Sequence, residues 1–461
     1  MQRDKLTPYV QDHSYLKEYQ QELDTFIAEK ITPYDPIFSL TQKVQPIPFK
    51  EIKSLTDNST CLLQWYITGE KILAFIVSAD ETVKVWQSSE EDGKQLLDTV
   101  NNYRRLYYSE RGKKEWINQL SNLLQTFADT LHINEIISLI PETCQRLIII
   151  PHWFLHILPL HALPITNSPL NKVSTSNSPL NKGGWGGSIL QDKYDIKYAP
   201  SCQLLQITKQ RPLNELTNLF AIQNPTKDLI FTDLEVNIIS TFFNQKEIIA
   251  KDEATENTVI NHLKASGSHC YHFSCHGGFN PNNPLESALI LANKDELTLG
   301  EIFELNFKKS RLVVLSACET GLIDLKSISD EYIGLPAGFL FAGSSSVVSS
   351  LWTVSDLSTA FLMMKFYEIV LDKSQNISVP VALKMSQNWL RNLTVKEFEE
   401  NLEKTTFKQV LNYLQETLSF GDFFELEDAI TVTCERIKKL SPNEKPFKNP
   451  FYWAAFAAMG I

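Results

Sequence analysis

The 461-residue chain is long enough for two or three domains, and its 43% hydrophobic and 21% charged residues are typical of a folded protein in water. Its net charge of −11 argues against a protein that binds nucleic acid or an anionic membrane through a basic face. The first residues lack the apolar core of a secretory signal, no stretch approaches a membrane span, and the seven scattered cysteines fit a reducing compartment. We therefore expect a cytoplasmic protein with no nucleic-acid or membrane partner.

Residues 1–50 are predicted to form an N-terminal helical extension. Within them, residues 14–31 carry apolar side chains at the spacing of one helical face. A single helix is too little for a helical-repeat array, which needs pairs at a fixed period of roughly 34 residues. This helix either packs on the following domain or docks a partner, and the sequence leaves both open.

Residues 51–165 read as a first lobe of strands and helices. The segment "CLLQWYITGEKILAFIVS" alternates and predicts a hairpin that turns at Gly69-Glu70, and "VKVWQ" predicts a further strand. Residues 113–131 have one apolar helical face, and "RLIIIPHW" suits a buried central strand. His152, His156 and His161 lie among prolines and apolar neighbours, so we expect them to pack rather than to catalyse.

Residues 166–195 break this pattern. The hexapeptide "NSPLNK" occurs at 167–172 and again at 177–182, and the glycine-rich "GGWGG" follows. A duplicated segment rich in Asn, Ser, Pro and Gly is typical of a disordered low-complexity insertion. We expect no chemistry there.

Residues 196–461 alternate short apolar strands with helices, which predicts an α/β sheet with helices on both faces. The strands include "CYHFSCH" and "LVVLSAC", and a long helical stretch at 395–440 precedes a final predicted strand, "NPFYWAAF". In such sheets the working residues follow the carboxyl ends of strands. That rule selects Cys275-His276-Gly277 and Ala317-Cys318-Glu319.

The cluster "SHCYHFSCHGGF" at 268–279 suggests a zinc site at first sight. On a strand, however, Cys270 and His272 face one side and Cys275 the other, so these ligands diverge. The chain offers no second close Cys/His pair to complete a tetrahedral site. We therefore predict that these three residues belong to a core strand and that no metal is bound.

His276 differs because it falls where the strand ends. Gly277 and Gly278 follow and are predicted to let the backbone turn sharply, with amide N–H groups directed outward. A histidine beside such amides is a candidate general base next to an anion-stabilising site. Cys318, 42 residues later at the end of a strand expected to be adjacent, is a candidate nucleophile, with a buried core cysteine as the alternative.

Taken in order, "HFSCHGGF", "RLVVLSACETG", "GLPAGFLFAGSSSVVSSLWTVSD" and the closing "PFYWAAFAAMG" resemble the CHAT family of caspase-like proteins, in the clan of caspases and separase. The resemblance extends over roughly residues 45–461. It implies a caspase-like α/β fold with a mostly parallel sheet flanked by helices. It also implies that 51–165 is an inactive, pseudo-caspase-like lobe and that 196–461 is the catalytic lobe, with a helical insertion near 395–440.

The family resemblance implies a cysteine endopeptidase that cleaves a protein or peptide substrate with a His–Cys dyad and needs no cofactor. The dyad falls on His276 and Cys318, and the amides of Gly277 and Cys318 would hold the oxyanion. The resemblance further implies a role in bacterial signalling or defence. Because neither a propeptide nor a sensing array is evident, we expect a regulatory protein partner or signal to control the enzyme.

Substrate specificity is predicted from two comparisons, one with metacaspases and one with separases. Metacaspases carry an aspartate two residues before the cysteine, where this chain has Ser316, whereas separases carry an aspartate in a stretch that resembles "LWTVSD". Asp356 would therefore line the pocket for the residue before the cut and attract Arg or Lys; alternatively, or in addition, it caps the helix that follows. Two rival functions stay open: a catalytically silent scaffold that binds a partner, and a hydrolase of small acyl substrates.

Overall fold

The computed structural model describes residues 25–26, 29–30, 47–68, 71–80, 82–109, 112–166, 187–265, 267–280, 283–307, 309–316, 334–354 and 357–461. Residues 1–48 and residues 49–461 form two compact units. In the first unit, 25–26 and 29–30 are helical, and the rest of the helix predicted over 14–31 lies outside the described residues.

A sheet of eleven strands runs through the second unit in the order β3-β2-β1-β4-β7-β16-β15-β14-β10-β8-β9, beside a three-stranded sheet β11-β12-β13 and a pair β5-β6. The strands are β1 Thr60–Thr68, β2 Lys71–Val77, β3 Lys84–Gln87, β4 Arg146–Ile150, β5 Pro164–Ile165, β6 Ser188–Ile189, β7 Asp195–Tyr198, β8 Asn218–Gln223, β9 Gln245–Ala250, β10 Cys270–Ser274, β11 His276–Gly278, β12 Ala288–Ile290, β13 Glu296–Thr298, β14 Leu312–Leu315, β15 Ser346–Ser350 and β16 Phe456–Gly460.

Most neighbouring strands of the large sheet are parallel. Strands β15, β14, β10, β8 and β9 run one way, and β1, β4, β7 and β16 run the other way, with the reversal between β16 and β15. The hairpin β1–β2 has the predicted register, with Thr68 opposite Lys71, and β3 extends it as an antiparallel edge. The mostly parallel α/β architecture expected from the sequence is therefore confirmed.

The helices flank this sheet, and every residue of β10, β14, β15 and β16 is buried, as expected for strands covered on both faces. Across the part of the chain that the structure describes, no helix is long and apolar enough to cross a membrane. The helices are α1 Phe49–Lys53, α2 Glu90–Tyr108, α3 Gly112–Thr130, α4 Ile133–Ser138, α5 Leu190–Lys193, α6 Cys202–Lys209, α7 Ile230–Ser240, α8 Glu256–Ala265, α9 Leu299–Glu304, α10 Leu335–Ala342, α11 Leu357–Val370, α12 Val379–Asn392, α13 Val395–Leu402, α14 Thr405–Thr417, α15 Phe420–Lys438 and α16 Pro450–Trp453.

The two predicted lobes share one core. Trp116 of α3 is fully buried, and its ring meets the rings of Trp352 and Phe451 edge-on, at centroid distances of 5.4 and 6.2 Å. Such edge-to-face pairs add to the stability that burial of the rings already provides. Residues 51–165 therefore contribute four strands of the large sheet and part of the core to the same body as residues 196–461.

Two local predictions are wrong. The predicted disordered insertion ends earlier than residue 195, because Ile189 and Leu190 are fully buried and Leu190 N–H donates to Leu163 O at 2.9 Å, while residues 167–186 lie outside the described part. The predicted strand at "NPFYWAAF" is instead a helical turn, because Asn449 caps α16 and Pro450 occupies its first position. The final strand begins only at Phe456.

The helical stretch at 395–440 consists of three helices, α13 to α15. A capping box starts α13, since Thr394 and Glu397 satisfy each other's backbone N–H groups. The next helix contacts α7, and its buried Phe407 stacks on Phe361 of α11 with ring centroids 5.7 Å apart. This layer therefore rests on helices rather than directly on the sheet.

The substitution Phe407→Ala is expected to lower the free energy of unfolding by about 3–5 kcal/mol, because it opens a cavity against Phe361. Denaturant unfolding measures this change. Tyr413→Ala on the same helix is the matched control, since Tyr413 is 53% exposed, and its effect should stay within about 0.5 kcal/mol. Equal effects of the two substitutions would contradict the packing described here.

Candidate active site

The candidate site lies at one edge of the large sheet, after three neighbouring parallel strands. Strand β10 lies between β14 and β8, with Phe273 opposite Leu315 on one side and Ile222 on the other. In sequence, His276 comes three residues after Phe273, and Cys318 comes three residues after Leu315. The strands that precede the two predicted dyad residues are therefore adjacent and in matching register. Cys318 itself lies outside the described residues, as does Asp356.

The backbone around His276 differs from the prediction. The chain bends at Cys275, and His276 opens β11, which pairs antiparallel with β12 so that Gly277 lies opposite Leu289. Gly343 and Gly460 are the glycines with positive φ among the described residues, so neither Gly277 nor Gly278 adopts a left-handed turn. The sharp turn predicted at 277–278 is wrong, because pairing with 288–290 holds these glycines in a strand.

Asp228 fixes the His276 ring. His276 Nε2 lies 2.9 Å from Oδ1 and 3.0 Å from Oδ2 of Asp228. The His276 side chain is 33% exposed and that of Asp228 63%, so the pair faces solvent. Partial desolvation raises the pKa of Asp228, but hydrogen bonds from Thr226 and His276 outweigh it and leave that pKa below its usual value. The carboxylate is therefore charged near neutral pH.

The loop that carries Asp228 follows β8 and is anchored to β10. Asn224 adopts a left-handed φ of 47°, its N–H donates to Ser274 O at 3.0 Å, and its Oδ1 accepts from Leu229 N–H at 3.1 Å. Gln223 donates to buried Asp233 at 2.6 Å. The sequence analysis did not select Asp228. The feature that could have indicated it is the position of an acidic residue shortly after β8, the strand beside β10.

His272 and Cys270 belong to the core, as predicted. His272 is fully buried, with Nε2 2.8 Å from Glu235 Oε1 and Nδ1 3.0 Å from the Tyr367 hydroxyl. Burial raises the pKa of Cys270 to about 12, so this thiol is neutral. Within the described residues, no three His, Cys, Asp or Glu side chains are grouped so that they could hold a metal ion.

Ser316, the last described residue before Cys318, is 5% exposed. Its buried hydroxyl finds no hydrogen-bond partner among the described residues. At the position where metacaspases carry an aspartate, this chain therefore has a buried, uncharged serine.

The histidines of residues 152–161 pack as predicted. His152 Nδ1 accepts a hydrogen bond from Ile67 N–H at 3.1 Å, and His161 Nδ1 lies 2.9 Å from the Tyr198 hydroxyl. His156 and His161 are buried, and burial lowers the pKa of each from 6.5 to about 3. Both rings are therefore neutral in the folded protein at physiological pH.

The CHAT domain family model matches residues 119–461, which is most of the chain. The chain belongs to the CHAT domain family. The match includes β4, every later strand of the large sheet and the edge that carries His276. Among curated proteins, none matches the sequence of this CHAT protein.

Solved structures similar to this CHAT protein include two of the Saccharomyces cerevisiae separase–securin complex, at 2.6 and 3.0 Å resolution. The sequence identities are 13% and 12%, and the TM-scores are 0.44 and 0.47. Each match covers 74% of this chain and 29% of the other chain. This protein therefore spans less than a third of the length of the chains that it matches.

The buried histidines predict acid sensitivity. Because the folded state holds His161 at a pKa of about 3 and the unfolded state at 6.5, the unfolded state binds more protons as the pH falls below 6.5. The contribution of His161 to the free energy of unfolding is therefore fully present above pH 6.5. It is lost progressively as the pH falls towards 3, and the loss is on the order of 4 kcal/mol. His161→Gln should flatten the dependence of the unfolding midpoint on pH between 6.5 and 3. The control His262→Gln, at a ring that is 40% exposed, should leave the slope as it is, and equal slopes in all three proteins would contradict this account.

Proposed function

We propose that this CHAT protein is a cysteine endopeptidase that acts through His276 and Cys318. The observation that carries the proposal is the position of His276 after β10, with its Nε2 held by Asp228, beside the strand that leads to Cys318. A thiol nucleophile needs a base within reach, and the base needs a group that orients its ring. His276 and Asp228 supply the second and third of these parts.

In the proposed reaction, the Cys318 thiolate attacks the peptide carbonyl carbon, and a C–S bond forms. The C–N bond then breaks, and the imidazolium of His276 gives its proton to the leaving amine. Water, deprotonated by the same imidazole, attacks the thioester and releases the acid and the thiolate. Because Asp228 engages Nε2, we assign these proton transfers to Nδ1. The Asp228 carboxylate stabilises the imidazolium without taking up the proton.

The amides of Gly277 and Cys318 are proposed to hold the oxyanion of the tetrahedral intermediate. Gly277 lies directly after His276 in β11, at the same edge of the sheet. Hydrogen bonds from backbone amides to the developing charge would contribute roughly 100- to 1,000-fold to the rate.

Alkylation of the purified protein with iodoacetamide at pH 7 tests the dyad. Of the described cysteines, five are buried and Cys434 is half-buried with a pKa raised by burial, so Cys434 serves as an internal standard. We expect Cys318 to react at least about tenfold faster than Cys434, because a neighbouring cation favours the thiolate. His276→Ala should reduce Cys318 to the rate of Cys434, and Asp228→Asn should slow it by several-fold. Peptide mass mapping gives each rate.

The matched control for Asp228→Asn is Asp252→Asn. Asp252 is also exposed, and it pairs with Lys227, the residue directly before Asp228. It makes no ion pair with His276. Its substitution should leave the alkylation of Cys318 unchanged. If wild-type Cys318 reacts no faster than Cys434, the free chain carries no activated thiolate, and the peptidase proposal fails for this form of the protein.

Specificity is proposed to come from Asp356, which directly precedes α11 in sequence. A carboxylate in the pocket would favour Arg or Lys before the cut. With a peptide library, Asp356→Asn should lower kcat/KM for Arg and Lys substrates roughly 10- to 100-fold and leave neutral substrates nearly unchanged. Asp372→Asn, an acid outside this region, is the control. An equal loss for all substrates would assign Asp356 to capping of α11 alone.

We further propose that a regulatory protein or signal controls access to Cys318. This follows from the expectation that an unrestrained cytoplasmic peptidase would damage its host. Purified chain should therefore hydrolyse unfolded casein slowly. Full activity of the isolated chain on casein would contradict this control while supporting the peptidase.

A partner-binding scaffold is the second candidate function, and one surface favours it. Phe420 and Phe424 of α15 are 88% and 60% exposed, with their rings stacked at 6.2 Å. Exposed aromatic pairs of this kind are common at protein interfaces. Acidic residues of the same helix, Glu425, Glu427 and Asp428, would suit a basic and apolar partner. An unreactive Cys318 with retained binding of such a partner would favour the scaffold.

A further inference from the structure

A second site is suggested by a cavity of about 260 Å³ that β4 and β7 help to line, in the part of the sheet that runs opposite to β10 and β14. Ile148 of β4 lies opposite Lys197 of β7, and both line the cavity. Leu205 of α6 and Pro380 of α12 add apolar walls. The volume is just below the range of about 300–1,000 Å³ that is usual for small-molecule sites.

The acidic groups of this cavity already have partners. Asp57 lies 3.0 Å from Arg146 Nη2, and Asp195 lies 2.7 Å from Lys384 Nζ. Ile461 also lines the cavity, and its carbonyl oxygen accepts a hydrogen bond from the Ser346 hydroxyl. None of these acceptors forms an ion pair with Lys197.

The cationic side chains that line the cavity outnumber its acidic side chains, which are Asp57 and Asp195. Arg146, Lys197 and Lys209 all line it, and Lys209 uses one of its three donors on Ser54 O at 2.8 Å. The Lys197 side chain makes no hydrogen bond or ion pair with any residue that the structure describes. A largely enclosed ammonium without a counter-charge is costly, and an anion beside it would offset that cost.

The pKa of Lys197 agrees with an ammonium group that has no counter-charge beside it. Burial, and then the positive charges of Lys209 and Arg146, lower the pKa of Lys197 to about 8, against an opposing effect of Asp57. The ammonium form is therefore the larger fraction at pH 7 and the smaller one at pH 9.

We propose that this cavity binds a small carboxylate with an apolar body, with the carboxylate on Lys197 and the apolar part against Leu205 and Pro380. The Arg146 guanidinium is engaged by Asp57, Ser59 and Thr60, so the bidentate fork that favours phosphate is not available. One enclosed ammonium and apolar walls fit a monoanion with a short hydrocarbon body better than a hydrated dianion. This site does not depend on the peptidase activity.

Isothermal titration of the full chain with hexanoate tests the proposal, with inorganic phosphate as the comparison. We expect saturable binding of hexanoate, at least tenfold weaker in Lys197→Met, which keeps the apolar stem and removes the charge. Lys373→Met is the control, because Lys373 is an exposed lysine paired with Glu215, and it should bind hexanoate like the wild type. The absence of saturable hexanoate binding, unchanged binding by Lys197→Met, or tighter binding of phosphate would each overturn the proposal.

The pH dependence gives an independent readout. Since the carboxylate binds the ammonium form, the affinity for hexanoate should fall several-fold to about tenfold between pH 7 and pH 9.

Chemical modification of the wild-type protein avoids any folding defect of the variant. Trinitrobenzenesulfonate at pH 8 should modify Lys197 faster than Lys373, and hexanoate should protect Lys197 alone. Lack of protection, or an affinity that does not change with pH, would count against the site.

Discussion

The parallel pairing of β10 with β14 and β8 is the constraint on which the rest of the candidate site depends. It brings the segments that follow three strands to one edge, although the residues are far apart in sequence. A slip of one residue in this pairing would move the side chains of a whole strand to the other face. The fully buried His272 works against such a slip, since only the present register brings its ring to both Glu235 and Tyr367.

The sequence was sufficient where periodicity and burial agree. The hairpin around 61–77, the helix near 113–131 and the central strands were predictable because their apolar patterns match their final environments. It was insufficient where a short polar segment decides the geometry. Pairing of 276–278 with 288–290 is a non-local contact of few residues, and the helical turn at 450–453 depends on the Asn449 cap in an otherwise apolar stretch.

Asp228 shows why one member of the site escaped prediction. Its partner is 48 residues away, and an acidic residue in an exposed loop has no periodic signature. The left-handed Asn224 and buried Asp233, which hold the loop, become meaningful only when β8 and β10 are known to be neighbours. Position after a strand was visible in the sequence, whereas the pairing of two such positions required the fold.

The place of β16 has a consequence for biosynthesis. This strand lies between β7 and β15 and is the only described link between the two oppositely directed halves of the large sheet. A ribosome releases residues 456–460 more than 100 residues after β15, so until then each half presents an open edge of unpaired backbone groups. A nascent or truncated chain that lacks β16 would therefore expose unpaired strand edges of the kind that chaperones cover. The complete sheet can form only once translation has passed residue 460.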